Sequence, residues 1–205
     1  EDIDPPREVP GSATSILRDL ERMGMTSDGP VLYQSQRTHA YTSAIEKLLM
    51  QDKAYWCGCS RKDLPASGVY PGTCRNGLAP GKQPRAVRLR VGANSIEFTD
   101  LVQGKIEERL EETVGDFIIR RADGLPAYQL AVVVDDAAQG VTRVVRGSDV
   151  MDSTPRQMFL QGLLDFPTPE YCHLPVITNS QGQKLSKQNQ APPLDSARAL
   201  QNLRR

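Results

Sequence analysis

Three cysteines, Cys57, Cys59 and Cys74, fall within one short stretch rich in glycine and proline. Thiolates gathered in this way are soft ligands, suited to a tetrahedral ion such as zinc. Cys57 and Cys59 flank a single residue, and Cys74 returns after a loop that carries no apolar periodicity. A closed zinc site needs a fourth ligand, which spacing alone does not name; water and the nearby Asp63 are both open choices. The non-metal alternative is three buried thiols, but clustered thiolates in a core-poor segment need something to hold them. Cys172 lies far from the others and reads as a small buried hydrophobe.

A second set of residues suits anion chemistry. Lys184-Leu185-Ser186-Lys187 places two ammonium groups on a loop after the polar turn Asn179-Ser180-Gln181-Gly182. Such a loop can close on a polyphosphate and offset charge that develops on a leaving pyrophosphate. Short motifs of this kind match by chance, and the plain alternative is a solvated loop. Arg146, in Val144-Val145-Arg146-Gly147, stands at a strand end, where α/β sheets collect ligands. Its guanidinium can hold a carboxylate through two parallel hydrogen bonds, unless it is taken up by a structural partner such as Asp149. Tyr128 can point a phenol at the same ligand or serve as a core tyrosine.

The elements that must position these groups alternate between helix and strand. Apolar spacing predicts a helix over residues 12–23, closed by Gly24, and a second carrying Tyr41, Ala44, Ile45, Leu48 and Leu49. Short strands are expected at 54–57, 95–99, 117–120, 141–145 and 175–178. Residues 86–91 alternate, with Val87, Leu89 and Val91 on one side and Arg88 and Arg90 on the other; Arg85, Arg88 and Arg90 could contact RNA phosphate, but a solvated strand face is the plain reading. Glu107, Glu108, Glu111 and Glu112 with Arg109 read as an exposed charged segment. Residues 127–134 are apolar enough to be buried, and periodicity does not decide their type. Ser153-Thr154-Pro155 offers a hydroxyl cap and a first-turn proline for a further helix. The expectation is an α/β fold with a mostly parallel sheet, interrupted by a small metal-binding insertion.

Taken in order, these motifs resemble the glutamyl-tRNA synthetases, and more closely their shorter glutamyl-queuosine tRNA(Asp) relatives. The resemblance rests on Glu1-Asp2-Ile3-Asp4, the cysteine insertion, Gly124 to Ala131, Arg146-Gly147-Ser148-Asp149, Ser153 to Gln157, and Lys184 to Gln188. It implies a class I, Rossmann-like catalytic domain that activates glutamate with ATP and magnesium. Glu1, Tyr128 and Arg146 would bind glutamate, with Arg146 on the side-chain carboxylate and Glu1 on the α-ammonium. Lys187 would be catalytic at the α-phosphate, and Lys184 would join it on ATP. Tyr70 matches the family's fourth zinc ligand beside Cys57, Cys59 and Cys74. The acceptor implied is queuosine in the anticodon loop of tRNA(Asp).

The resemblance also implies a division into four parts. Residues 1–54 would be part of the catalytic domain, 55–84 the zinc insertion, 85–178 the remainder of the catalytic domain with the acceptor-insertion region, and 179–205 the lysine loop with the start of a helical region. The family's histidine-containing ATP motif, on the first strand and helix, lies upstream of the position of Glu1. The chain as written is therefore expected to lack that strand and helix and to be inactive alone.

Composition bounds the alternatives. Twenty-five basic and 25 acidic residues cancel, so any nucleic-acid contact must be local rather than a general basic coat. No apolar run approaches the ~18 residues that span a bilayer, and uneven cysteine use points to a reducing cytoplasm. A monomer is the default expectation. Two rival readings stand: a conventional glutamyl-tRNA synthetase, disfavoured by Gln188 and the cysteine insertion, and a zinc-bearing RNA-binding module without catalysis.

Overall fold

In the computed structural model, residues 2–5, 8–93, 95–185, 191–192 and 195–203 are described. The chain forms two compact units, one of Glu1–Arg37 with Val176–Arg205, the other of Thr38–Pro175.

The first unit contains α1 (Ser12–Arg22), a 3-10 turn at Gln34–Arg37, and near its end α6 (Ala199–Leu203). The α1 helix stops as its glycine predicts. Gly24 adopts a left-handed φ of 77°, and the amides of Gly24 and Met25 return to the carbonyls of Glu21 and Leu20. Residues 177–185 fold back on themselves. Leu185 donates to the Ile177 carbonyl, Asn179 and Gln183 close the turn, and the Asn179 side chain accepts from the Gln181 and Gln183 amides. No strand forms at 175–178, where one was expected; Thr178 makes only an isolated bridge to Lys184. Pro175 has no amide to donate and ends the preceding strand.

The second unit holds the sheets. Helix α2 (Thr38–Met50) leads to β1 (Ala54–Cys57), which pairs antiparallel with β2 (Ala86–Leu89). Strands β3 (Ile96–Asp100) and β4 (Gly104–Glu108) form an antiparallel hairpin, followed by the short α3 (Leu110–Thr113). Strand β5 (Ile118–Arg120) joins β2, and α4 (Tyr128–Gln139) follows. Then β6 (Arg143–Gly147), α5 (Thr154–Leu164) and β7 (Glu170–Leu174) make a strand–helix–strand unit whose strands pair in parallel. Among the described strands this is the one parallel pair, so the expected mostly parallel sheet is not what these residues form. After β1 the insertion brings the chain back from the end at which it left, so β2 pairs antiparallel, whereas the crossover through α5 carries the chain back to the starting end of β6 and gives a parallel return.

The core gathers Tyr41 and Leu48 of α2, Leu89 of β2, Ile119 of β5, Leu130 and Val133 of α4, and Leu160 of α5, each essentially free of solvent contact. The undecided segment 127–134 is the start of α4, which ends on left-handed Gly140. Strand β2 departs from the alternating pattern: all four residues are buried, Arg88 among them at 6% exposure. A solvated arginine face was expected, but both faces of β2 are covered. Cys172 also differs from expectation, being half-buried on the face of β7 opposite buried Tyr171 and His173.

Candidate functional site

The parallel register of β6 and β7 sets Arg146 directly beside His173. Arg146 Nε donates to His173 Nε2 at 3.0 Å, and Nη2 donates to the Thr154 hydroxyl at 2.7 Å. Its guanidinium carbon lies 5.4 Å from the centroid of the Tyr171 ring. Asp149, the structural rival for Arg146, is not among its partners, and among the described residues Arg146 forms no ion pair with a carboxylate. Two donor positions of the guanidinium fork are thus committed; both N–H groups of Nη1 and one of Nη2 remain for a ligand. Asp136 of α4, whose carboxyl is pushed up chiefly by burial, feels Arg146 as a lowering influence.

Tyr128 opens α4 and is 43% exposed, so it is not the core tyrosine that composition alone would favour. Ala127, in extended conformation, turns the chain into the helix at this point. The Tyr171 phenol is raised by burial above all, with the charge of Arg146 as a lowering influence. Glu1 and Lys187 lie outside the described residues. Lys184 is exposed at the end of the closed turn in the other unit.

The cysteine cluster is assembled by a different set of contacts. Cys57 ends β1, and the segment after it carries Cys59, Tyr70 and Cys74. Their three sulfurs lie within 4.8 Å of one another. The Tyr70 hydroxyl is 3.4 Å from the Cys57 sulfur and 3.5 Å from that of Cys59, and the Cys59 and Cys74 sulfurs are 3.6 Å apart. A tetrahedral zinc with bonds of ~2.3 Å to sulfur and ~2.0 Å to oxygen has edges of roughly 3.8 Å and 3.5 Å, and these three separations are close to such edges. Asp63, the competing fourth ligand, instead accepts from the amide and hydroxyl of Ser60 and pairs with Lys82.

Burial raises the Cys57 thiol, but hydrogen bonds from Tyr70, the Cys59 amide and Arg88 outweigh it and leave the thiol below its ordinary value. The Tyr70 phenol is raised by burial and by its three sulfur neighbours. Tyr70 would therefore surrender its proton only to a cation.

What holds the cluster in place is buried Asp116. Its carboxylate accepts from Arg75 Nε and Nη2, both at 2.6 Å, from the Val91 amide at 2.8 Å, and from the Tyr55 hydroxyl. Arg75 follows Cys74 directly, so this pairing anchors the third cysteine to the β-sheet. Gly115, next to Asp116, has a φ of 68° and meets Tyr70 so closely that an added Cβ would lie 2.2 Å from the Tyr70 carbonyl oxygen. Only glycine permits that approach. Beside the cluster opens a cleft of about 610 Å³ whose lining includes Cys59, Arg61, Arg85, Arg88 and Arg121.

Sequence reasoning did not find Asp100, Thr154 and His173 as partners of the site. His173 buries completely and hydrogen-bonds Asp100, which is distant in sequence; only its alternation with Tyr171 across half-buried Cys172 hinted at an inward-facing strand position.

A family model described as tRNA synthetases class I (E and Q), catalytic domain, matches residues 1–67 and 73–198. The glutamyl-Q tRNA(Asp) synthetase of Dechloromonas aromatica is 52% identical over 212 residues, covering 99% of this chain and 70% of that relative. The protein of the same name from Thiobacillus denitrificans is 54% identical over 201 residues, covering 95% and 67%. Among solved structures, a glutamate-tRNA synthetase from Elizabethkingia anophelis matches with a TM-score of 0.78 at 28% identity, over 92% of this chain and 45% of that one. The chain thus spans less than half the length of that solved protein. No helix among the described residues is long and apolar enough to cross a membrane.

Proposed function

The chain belongs to the class I tRNA synthetases of the glutamate and glutamine type, as their catalytic domain, and on that footing we propose that it serves to activate glutamate with ATP and pass the glutamyl group to queuosine in tRNA(Asp). In the first step the α-carboxylate of glutamate attacks the α-phosphorus of magnesium-bound ATP, and pyrophosphate leaves. In the second, a hydroxyl of the queuosine base attacks the activated carbonyl and AMP leaves.

The observation that carries the reading is Arg146. It stands at the carboxyl end of a parallel strand, held on two sides, with three of its five N–H groups unspent and no carboxylate hydrogen-bonded to it among the described residues. That arrangement suits the side-chain carboxylate of glutamate and leaves the amide of glutamine facing a donor. Exposed Tyr128 supplies a phenol to the same ligand. Glu1 takes the α-ammonium, Lys187 the charge at the α-phosphate, and Lys184 assists on ATP.

Cys57, Cys59, Cys74 and Tyr70 hold one zinc ion in this reading, within an insertion spanning 55–84. A closed set of four protein ligands gives the ion a structural role, fixing the shape of a segment that has little core of its own. The arginine-lined cleft beside it is the kind of local basic surface through which a chain of zero net charge can meet RNA phosphate. The cytoplasm, where charged and modified tRNAs are used, is the compartment that fits.

The deciding experiment supplies the intact protein with labelled glutamate, ATP and tRNA(Asp) carrying or lacking queuosine. Label should enter only the queuosine-containing tRNA and, after nuclease digestion, travel with the anticodon-loop fragment. Label on the 3′-terminal adenosine of either tRNA would instead assign a conventional glutamyl-tRNA synthetase. No pyrophosphate exchange at all would leave an RNA-binding module.

A further inference from the structure

We propose that the buried Asp100–His173 pair is a positioning device that sets the orientation of the Arg146 guanidinium without neutralising it, and so sustains the preference for glutamate over glutamine; this rests on the reading that Arg146 takes the substrate's side-chain carboxylate.

The donors and acceptors fix the arrangement. Asp100, at the end of β3, accepts from the amides of Val102 at 3.0 Å and Gln103 at 2.9 Å, and from the His173 amide at 3.1 and 3.2 Å. Its carboxyl is held at about 2; burial opposes ionisation, and these bonds with that from His173 outweigh it. It is therefore a carboxylate, which only accepts, and His173 Nδ1 at 2.7 Å must carry the proton. In the neutral ring Nε2 is then a lone pair. It faces Arg146 Nε at 3.0 Å and the Thr154 hydroxyl at 3.1 Å. Thr154 completes the set, accepting from Arg146 Nη2 and donating to His173 Nε2. Tyr171 stacks near the imidazole, with ring centroids 6.0 Å apart and planes 13° from parallel.

The value of the imidazole lies in what it keeps away. A carboxylate directly on Arg146 would fix the guanidinium equally well, but it would cancel the positive charge and compete with the substrate carboxylate. A neutral ring between Arg146 and Asp100 passes on the orientation while leaving the charge available. Asp100 determines which ring nitrogen is protonated, as a second shell does for a ligand histidine.

The test uses the full-length protein and glutamate-dependent pyrophosphate exchange, with KM measured separately for glutamate and ATP and a thermal melt for every variant. Asp100→Asn keeps the shape but turns an amide N–H toward Nδ1, which moves the ring proton to Nε2 and sets two donors against each other. The glutamate KM should rise roughly 10- to 100-fold, the range corresponding to a lost hydrogen bond to a charged group, while the ATP KM stays at its parental value. His173→Gln, whose carbonyl can accept from Arg146 Nε, should retain a lower glutamate KM than His173→Phe. Thr154→Val supplies the same readout with a near-isosteric change, should either buried substitution prevent folding.

Folded Asp100→Asn, His173→Phe and Thr154→Val variants with parental glutamate KM, alongside an Arg146→Ala variant that has lost glutamate, would overturn the positioning role alone. Arg146→Ala with a parental glutamate KM would overturn the underlying assignment of Arg146 as well. Parallel rises in the KM for glutamate and ATP would mark a merely structural role and also overturn the proposal.

Discussion

The Arg88 guanidinium lies over the Tyr70 ring, 3.7 Å from its centroid, while its Nε donates to the Cys57 sulfur at 3.4 Å. One buried cation thus touches two of the four side chains in the cysteine cluster. Its Nη1 also donates to the Asp116 carbonyl at 2.6 Å, so Arg88 ties the cluster to the same segment that anchors Arg75. Three thiolates and a phenolate around a divalent ion carry a net negative charge, and Arg88 is placed to offset it.

Replacing Arg88 by methionine should therefore weaken zinc binding by roughly 10- to 100-fold, the usual cost of losing an outer-shell partner. The stoichiometry at saturating zinc should not change. Competition with a chromogenic chelator measures the affinity; an unchanged affinity in a folded Arg88→Met protein would show that the contact with Cys57 contributes nothing to the ion.

Freshly purified protein should contain one zinc per chain. Chelation, or Cys74→Ser, should lower the melting temperature by about 5 °C or more, since each kcal/mol lost moves a chain of this size by roughly 2–4 °C. Metal uptake should also release protons, because the Tyr70 phenol is raised and must ionise to bind. Elemental analysis without zinc, together with a melt indifferent to chelator, would remove the ion from this site.

Acid should act on the Asp100 network with a definite sign. Its folded carboxyl titrates at about 2, below the ordinary 3.8. A depressed folded value stabilises the native state above the unfolded value and loses that contribution as pH falls through the folded one. The amount is on the order of 2 kcal/mol at neutral pH. Urea unfolding should find Asp100→Asn less stable than the parent at pH 7, with the gap closing between about pH 4 and pH 2. A gap that is constant across that window would mean the charge of Asp100 is not what stabilises the fold.

Lys187→Ala tests the lysine loop. An ammonium acting on charge that develops at the α-phosphate should matter in the transition state more than in binding. Turnover in pyrophosphate exchange should fall by roughly 100- to 1000-fold with little change in the glutamate KM. The opposite split, a raised KM with intact turnover, would move Lys187 from chemistry to binding.

Much of this was legible in the sequence, and the limits have physical causes. Helix α1 and its glycine stop followed from spacing and from the special conformation that Gly24 can adopt. The Ala- and Val-rich opening of α4 was ambiguous because β-branched residues suit either element until packing decides. Alternation misread β2, since it assumes one wet face, and Arg88 is covered on both. The cysteines announced themselves by local clustering, whereas Asp100 and His173 meet only through the packing of β3 against β7. Spacing along the chain carries no trace of such a pair.

The choice of amino acid is the sharpest test of the site. Glutamate and glutamine differ only in a carboxylate against an amide of nearly equal size, so discrimination must come from charge and donor count. Arg146 presents donors alone, and its Nε and Nη2 are already engaged by His173 and Thr154. Lysine at this position could not hold both partners and still offer a planar fork. Arg146→Ala, in the full-length protein, should nearly abolish glutamate activation, at a cost on the order of 2–5 kcal/mol, and Arg146→Lys should be seriously impaired too. A structural role predicts something else. If Arg146 mainly ties β6 to β7 and α5, its loss should lower the melting temperature while the folded fraction still prefers glutamate. A recognition role predicts a protein that melts near the parent and has lost the preference. A thermal melt run beside pyrophosphate exchange with both amino acids separates the two, and an unstable variant that remains glutamate-selective would take Arg146 out of the site.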